Sequence, residues 1–123
     1  MEYISTENAP KAVGPYSQAI LVNGVLYASG QIAINPDNQT MVDGDVTAQT
    51  EQIIKNIAAV LKEAGLGFAN VVKTTCFLAE MSDFAVFNSI YEKYFVSKPA
   101  RSCVAAKELP KGALAEIEVI AVK

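Results

Sequence analysis

The sequence predicts an α+β fold in which two helices pack on one face of a mixed five- or six-stranded sheet. Three observations carry that expectation. Asn23-Gly24 separates two apolar runs, the pattern of a tight hairpin. Val46, Thr50, Ile53, Ile54, Ile57, Val60, Leu61 and Ala64 recur at helical spacing. The segments then follow one another as ββ-α-β-α-ββ, an order that suits one sheet with its helices on one side. At 123 residues the chain is expected to form a single domain, 1–123, with a core of its own.

Taken in order, residues 2–5 read as a short strand. Residues 6–14, with Asn8, Pro10 and Gly14, read as a loop. Residues 16–22 and 25–31 form the hairpin, because Asn23 and Gly24 both tolerate the positive φ of a type I′ turn. Residues 35–44 hold Asn, Pro, Asp and Gly and read as a long loop. Asp43 or Asp45 can cap the helix that follows, and Gly65 can end it in the left-handed conformation. Residues 71–80, rich in Val, Thr and Phe, read as a strand reached by a right-handed crossover.

Ser82 or Asp83 can cap a second helix, whose apolar stripe is Phe84, Phe87, Tyr91, Tyr94 and Phe95. Asn88 lies on that stripe where an apolar residue is expected. A buried amide must find partners or cost about 1–3 kcal/mol. Asn88 therefore either bonds to nearby loop backbone or braces a site. Residues 101–106 and 113–122 complete the strands, and Leu109-Pro110-Lys111-Gly112 forms the turn between them.

Composition narrows the function. Hydrophobic residues are 51% and charged residues 19% of the chain, a balance that hints at apolar area buried between subunits. The net charge is -3 and the ten Lys and Arg are scattered. Nucleic-acid binding would need them clustered against phosphates, and membrane-surface binding would need a basic amphipathic helix. Neither partner is expected. The absence of histidine removes Ser-His and Cys-His nucleophile pairs and most catalytic zinc sites. Cys76 and Cys103 match no disulfide framework or metal spacing, and read as small buried residues in a reducing compartment. No signal peptide or membrane-span pattern is present, so a soluble, cytoplasmic protein is expected.

The last two strands carry the most chemistry. If they pair as an antiparallel hairpin, one register gives an apolar face of Ser102, Val104 and Ala106 with Ala115, Ile117, Val119 and Ala121. That face suits the helices. The other face then carries Arg101 and Cys103 with Glu116 and Glu118, turned away from the helices and toward another subunit. A sheltered Arg can grip a planar carboxylate through two parallel hydrogen bonds. At 4 Å and an effective dielectric near 20, such a pair contributes about 4 kcal/mol before desolvation. A nearby Glu can hold or deprotonate a water. Together they suit hydrolysis of an imine adjoining a carboxylate. The plain alternative is a solvated cross-strand ion pair of roughly 0–1 kcal/mol.

Several motifs make the chain resemble the RidA family, also called YjgF/YER057c/UK114, over nearly its whole length. They are Val13-Gly-Pro-Tyr-Ser-Gln-Ala19, Ala28-Ser-Gly-Gln-Ile32, Asn35-Pro36, Val71-Val-Lys-Thr-Thr75 and, most specific, Pro99-Ala-Arg-Ser-Cys-Val104, followed by Leu109-Pro110 and Glu116-Ile117. The resemblance implies a chorismate-mutase-like fold and a homotrimer with a barrel-like core and clefts between subunits. It implies hydrolysis of 2-aminoacrylate and related enamines and imines, released by pyridoxal-phosphate dehydratases, to 2-oxo acids and ammonia. No cofactor or metal is implied.

Residue by residue, the resemblance makes Arg101 the carboxylate grip and Glu116 the residue that orients the hydrolytic water. Cys103 lies beside the substrate, Tyr16 lines the cleft from the other subunit, Gly30 lets substrate approach the backbone, and Asn88 stands at the cleft side. Glu118 receives no role. Ala115 departs from the larger aliphatic residue common at that place. Two other readings remain: a ligand-binding or regulatory trimer for 2-oxo acids, and an endoribonuclease or translation inhibitor. Acidic charge and missing histidines weigh against the latter.

Overall fold

The structure is a computed structural model and describes residues 1–123. Strands β1 (Glu2–Ile4), β2 (Ala19–Val22) and β3 (Val25–Ala28) come first. A small ribbon, β4 (Ile34–Asn35) with β5 (Thr40–Met41), precedes helix α1 (Val46–Glu63). Then come β6 (Val71–Leu78), α2 (Phe84–Tyr94), β7 (Ala100–Ala105) and β8 (Ala115–Val122). The main sheet has six strands in the order β1-β2-β3-β8-β6-β7. Every neighbouring pair is antiparallel except β6–β7, which is parallel. The expected two-helix α+β arrangement is observed.

Local chemistry accounts for the elements. Asn23 and Gly24 have φ of 51° and 77°, so the β2–β3 turn uses the left-handed region both residues tolerate. Asp45 caps α1 by accepting a 3.1 Å hydrogen bond from the Ala48 N–H. Gly65, at φ 76°, ends it. The Leu66 N–H then reaches back to the Leu61 carbonyl at 2.8 Å, which closes a Schellman turn. Ile53, Ile54, Ile57, Val60 and Leu61 bury one face of α1 with Leu26, Ile117, Val119 and Phe87. Each such side chain contributes roughly 1.5–3 kcal/mol of burial. The 35–44 segment is not a plain loop, since β5 within it pairs with β4 at its start. Neither Ser82 nor Asp83 caps α2, because a short 3-10 turn at Met81–Asp83 runs straight into the helix.

The largest correction concerns the last hairpin. β7 and β8 are not neighbours, because β6 lies between them. Helix α2 carries the chain back so that β7 runs parallel to β6, with Thr74 opposite Arg101 and Cys76 opposite Cys103. β8 takes the other edge of β6, with Phe77 opposite Glu116 and Thr75 opposite Glu118. Strand character explains the choice. β8 alternates cleanly, with Ala115, Ile117, Val119 and Ala121 buried, and belongs in the middle of the sheet. β7 is shorter and has no fully buried residue, so it suits the edge.

The parity of β7 reverses as well. Thr74 is fully buried beneath the helices, and its partner Arg101 shares that side. Glu116 and Glu118 face the other way. Arg101 and Glu116 therefore stand on opposite faces of one sheet.

Candidate functional site

Two clefts result, one on each face. The first holds Glu116 in about 590 Å³ of space lined by Tyr16, Ser29, Gly30, Ile32, Lys111 and Glu118, among others. The alternation of β8 sends both glutamates to this side. Backbone bonds between Gln31 and Ile117, 2.8 and 3.1 Å, draw the chain just beyond β3 against β8. Gly30 then sits under Glu116 so closely that a Cβ there would meet Oε2 and lie 2.9 Å from the carboxyl carbon. The resemblance assigns Gly30 to substrate approach, whereas here its empty side is filled by the Glu116 carboxyl.

The loop carrying Tyr16 is held by a buried amide. The Gln18 side chain donates to the Thr6 and Pro10 carbonyls at 3.0 and 2.8 Å and accepts from the Thr6 N–H at 2.7 Å. The Ser29 hydroxyl donates to the Ser17 carbonyl at 2.6 Å, which ties that loop to β3. Burial holds the Glu116 carboxyl above the usual carboxylate range, and the neighbouring charge of Glu118 adds to the effect.

The second cleft, about 680 Å³, lies between α2 and the start of β7 and is lined by Asn88, Tyr91, Phe95, Lys98, Pro99 and Arg101, among others. Arg101 donates through Nη1 to the Asn88 amide oxygen at 2.7 Å. Its guanidinium lies 4.7 Å from the Tyr91 ring centre and 5.5 Å from that of Phe84. Asn88 therefore braces Arg101 rather than loop backbone, since its acceptor is used by the arginine. A neutral amide and two π-faces hold the cation in place without neutralising it, which leaves it ready for an anion.

Cys103 follows on the same side of β7, half-buried beside Cys76, and lines neither cleft. Burial, with the charge of Cys103 second, pushes the Cys76 thiol up to about 12. Burial also raises the Cys103 thiol, against a smaller lowering by Arg101. Both stay protonated at neutral pH and are poor nucleophiles. No group of His, Cys, Asp and Glu side chains is placed to hold a metal ion.

So Tyr16, Gly30 and Glu116 come together, and Arg101 and Asn88 come together, but the two sets do not meet within one chain. Sequence reasoning missed the aromatic seat of Arg101, because Phe84 and Tyr91 read as core. It also missed three buried amides that bond to loop or strand backbone. Gln49 accepts from the Leu114 N–H at 2.9 Å and so steadies the start of β8. Asn56 donates to the Ile32 and Ile34 carbonyls at 3.2 and 2.9 Å beside the first cleft. Gln18 is the third. Gln49 and Asn56 sit seven apart on the inner face of α1, and that spacing was the available signal.

The family model described as endoribonuclease L-PSP matches residues 6–123. The chain belongs to the RidA family. A Lactococcus lactis relative that bears a regulator's name, AldR, is 55% identical over 98% of this chain and 97% of its own. The human 2-iminobutanoate/2-iminopropanoate deaminase is 48% identical over 98% of this chain and 88% of its own. The crystal structure of Escherichia coli TdcF with bound serine superposes with a TM-score of 0.95 at 35% identity, covering 100% of this chain and 99% of its own. This RidA chain keeps that fold, and no helix in it is long and apolar enough to cross a membrane.

Proposed function

We propose that this RidA protein hydrolyses 2-imino acids and their enamine tautomers, such as 2-aminoacrylate, to 2-oxo acids and ammonia. The carrying observation is the Arg101 guanidinium, held by Asn88 and Tyr91 and open to a cleft. The human relative's name, an iminobutanoate deaminase, supports the same chemistry. Because Arg101 and Glu116 face opposite ways, a working site needs two copies. Arg101, Asn88 and the Cys103 strand come from one protomer, and Tyr16, Gly30 and Glu116 from the next. A homotrimer with three such junctions is the assembly we infer.

Arg101 grips the substrate carboxylate and holds the C=N carbon near Glu116. The Glu116 carboxylate takes a proton from water as the water oxygen bonds to that carbon and the C=N π electrons move to nitrogen. Glu116 returns that proton to the nitrogen, which gives a neutral carbinolamine, and then carries the carbinolamine's hydroxyl proton to the nitrogen as well. The C–N bond then breaks, releasing ammonia, and a C=O bond forms. Burial of Glu116 makes it a better base than an exposed carboxylate. We assign the supply of these imines to pyridoxal-phosphate dehydratases, which release them as free intermediates.

The test is a dehydratase assay that follows 2-oxobutanoate formation from threonine. Added protein is expected to accelerate the hydrolytic phase, and no acceleration at any concentration overturns the proposal. The regulator's name of the Lactococcus relative favours a second reading, a trimer that binds 2-oxo acids without turnover. Glu116→Gln separates the two: a pure binder keeps its only activity, whereas a deaminase keeps binding and loses turnover.

A further inference from the structure

Arg101 does more than stand in a cleft; its orientation is built from behind. Tyr91 lies on α2 three residues after Asn88, one helical turn further along the same face. Its ring has Arg101 within 4.7 Å and stacks on Phe95 with centroids 4.2 Å apart and planes 21° apart. The far end of the ring is tied down too. The Tyr91 hydroxyl and the Thr74 hydroxyl are 2.7 Å apart in a buried hydrogen bond. Thr74 is fully buried on β6, directly opposite Arg101 in the sheet register.

A closed ring of contacts results: Arg101 to Tyr91 by stacking, Tyr91 to Thr74 by hydrogen bond, and Thr74 back to Arg101 by strand pairing. Phenylalanine would fill the same space with no polar group to satisfy; the buried hydroxyl pair instead ties the far end of the ring to β6, opposite Arg101.

We propose that Tyr91, locked by Thr74, is a positioning residue that fixes the plane of the Arg101 guanidinium so that its free N–H groups meet a carboxylate two at a time. This rests on the reading of Arg101 as the carboxylate grip. A free arginine side chain samples many rotamers and loses that freedom on binding. The stack and the Asn88 bond remove most of it in advance, so the ligand finds a prearranged fork.

Titration calorimetry with 2-oxobutanoate on the intact oligomer tests this, alongside steady-state kinetics. Tyr91→Leu is expected to weaken binding about tenfold, with KM rising more than kcat falls. Tyr91→Phe keeps the ring but frees it from Thr74, and is expected to weaken binding about threefold. In an Arg101→Ala background, Tyr91→Leu should cost nothing further, because the group it positions is gone. Wild-type affinity in a folded Tyr91→Leu protein overturns the proposal. So does an equal loss in both backgrounds, which marks a structural role. If Tyr91→Leu fails to assemble, Thr74→Val carries the test: a threefold loss supports the proposal and unchanged affinity overturns it. Unchanged binding in Arg101→Ala alone instead overturns the carboxylate reading and this inference with it.

Discussion

The two clefts use opposite means to hold a charged group. Arg101 sits on an edge strand, and its long side chain is steadied by aromatic faces and one amide. Glu116 sits on a central strand, and its short side chain is steadied by lying against the bare backbone at Gly30. The cationic half tolerates looseness in the strand because side-chain stacking supplies order. The anionic half has no such stack and depends on close approach. Damage to the first should act through binding, and damage to the second through the chemical step.

The sharpest way to break this contrast is to separate the halves. Arg101→Ala is expected to lower kcat/KM by about 100-fold or more, since a bidentate charged contact is lost. Glu116→Gln is expected to lower kcat by a similar factor. Mixing the two inactive proteins through unfolding and refolding should restore activity, because about a quarter of the junctions then join an intact Arg101 half to an intact Glu116 half. Turnover by the refolded mixture is the readout. A mixture no more active than its components would mean that the halves do not meet between copies.

Gly30→Ala attacks only the anionic half. The new methyl would occupy the place of the Glu116 carboxyl, which must swing aside. If Glu116 is the proposed base, displacing it by about an ångström costs up to about 100-fold in rate, while the Arg101 cleft is untouched. A kcat loss of 10- to 100-fold with near wild-type 2-oxobutanoate affinity is expected. An equal loss of affinity would show that the two halves are not energetically separate.

How much of this was legible beforehand depended on range. Local signals were reliable: Asn23-Gly24 marked its turn, Asp45 and Gly65 bounded α1, and Arg101 and Glu116 stood out as charges in apolar strands. The non-local pairing was not legible. A Pro-Gly turn between residues 101–106 and 113–122 looked like a hairpin, but strand order depends on which strand has the more buried alternation, and β6 took the place between them. One wrong neighbour placed Arg101 on the wrong face and hid its seat, because Phe84 and Tyr91 serve as core and as site at once. Tyr16 and Gly30 were located only by family resemblance, as nothing in their spacing ties them to Glu116.

Glu118 gives a finer probe of the anionic half. Its charge is the second cause, after burial, of the raised Glu116 proton affinity. The base role proposed for Glu116 requires the ionised carboxylate, so activity is expected to fall as pH drops through its raised value. Glu118→Gln removes the repulsion and lowers that value. The acid limb of the kcat profile should therefore move to lower pH, with the plateau little changed. A shift to higher pH, or none, would mean that the two carboxylates do not sense each other in the assembled cleft.

The smallest effect is expected at Cys103, and its smallness is informative. The residue follows Arg101 on the same side of β7, where a reactive thiolate would give the cationic half a nucleophile. Burial instead raises its proton affinity, with Arg101 opposing only in part, so the thiol is protonated at neutral pH. Cys103→Ser keeps the backbone and most of the volume. It should change kcat/KM by no more than about threefold, and wild-type protein should react with iodoacetamide no faster than a free thiol of ordinary acidity. A loss beyond about 100-fold would assign the thiol a covalent step. The Arg101 half would then hold both grip and nucleophile, and the division of labour between the two clefts would have to be redrawn.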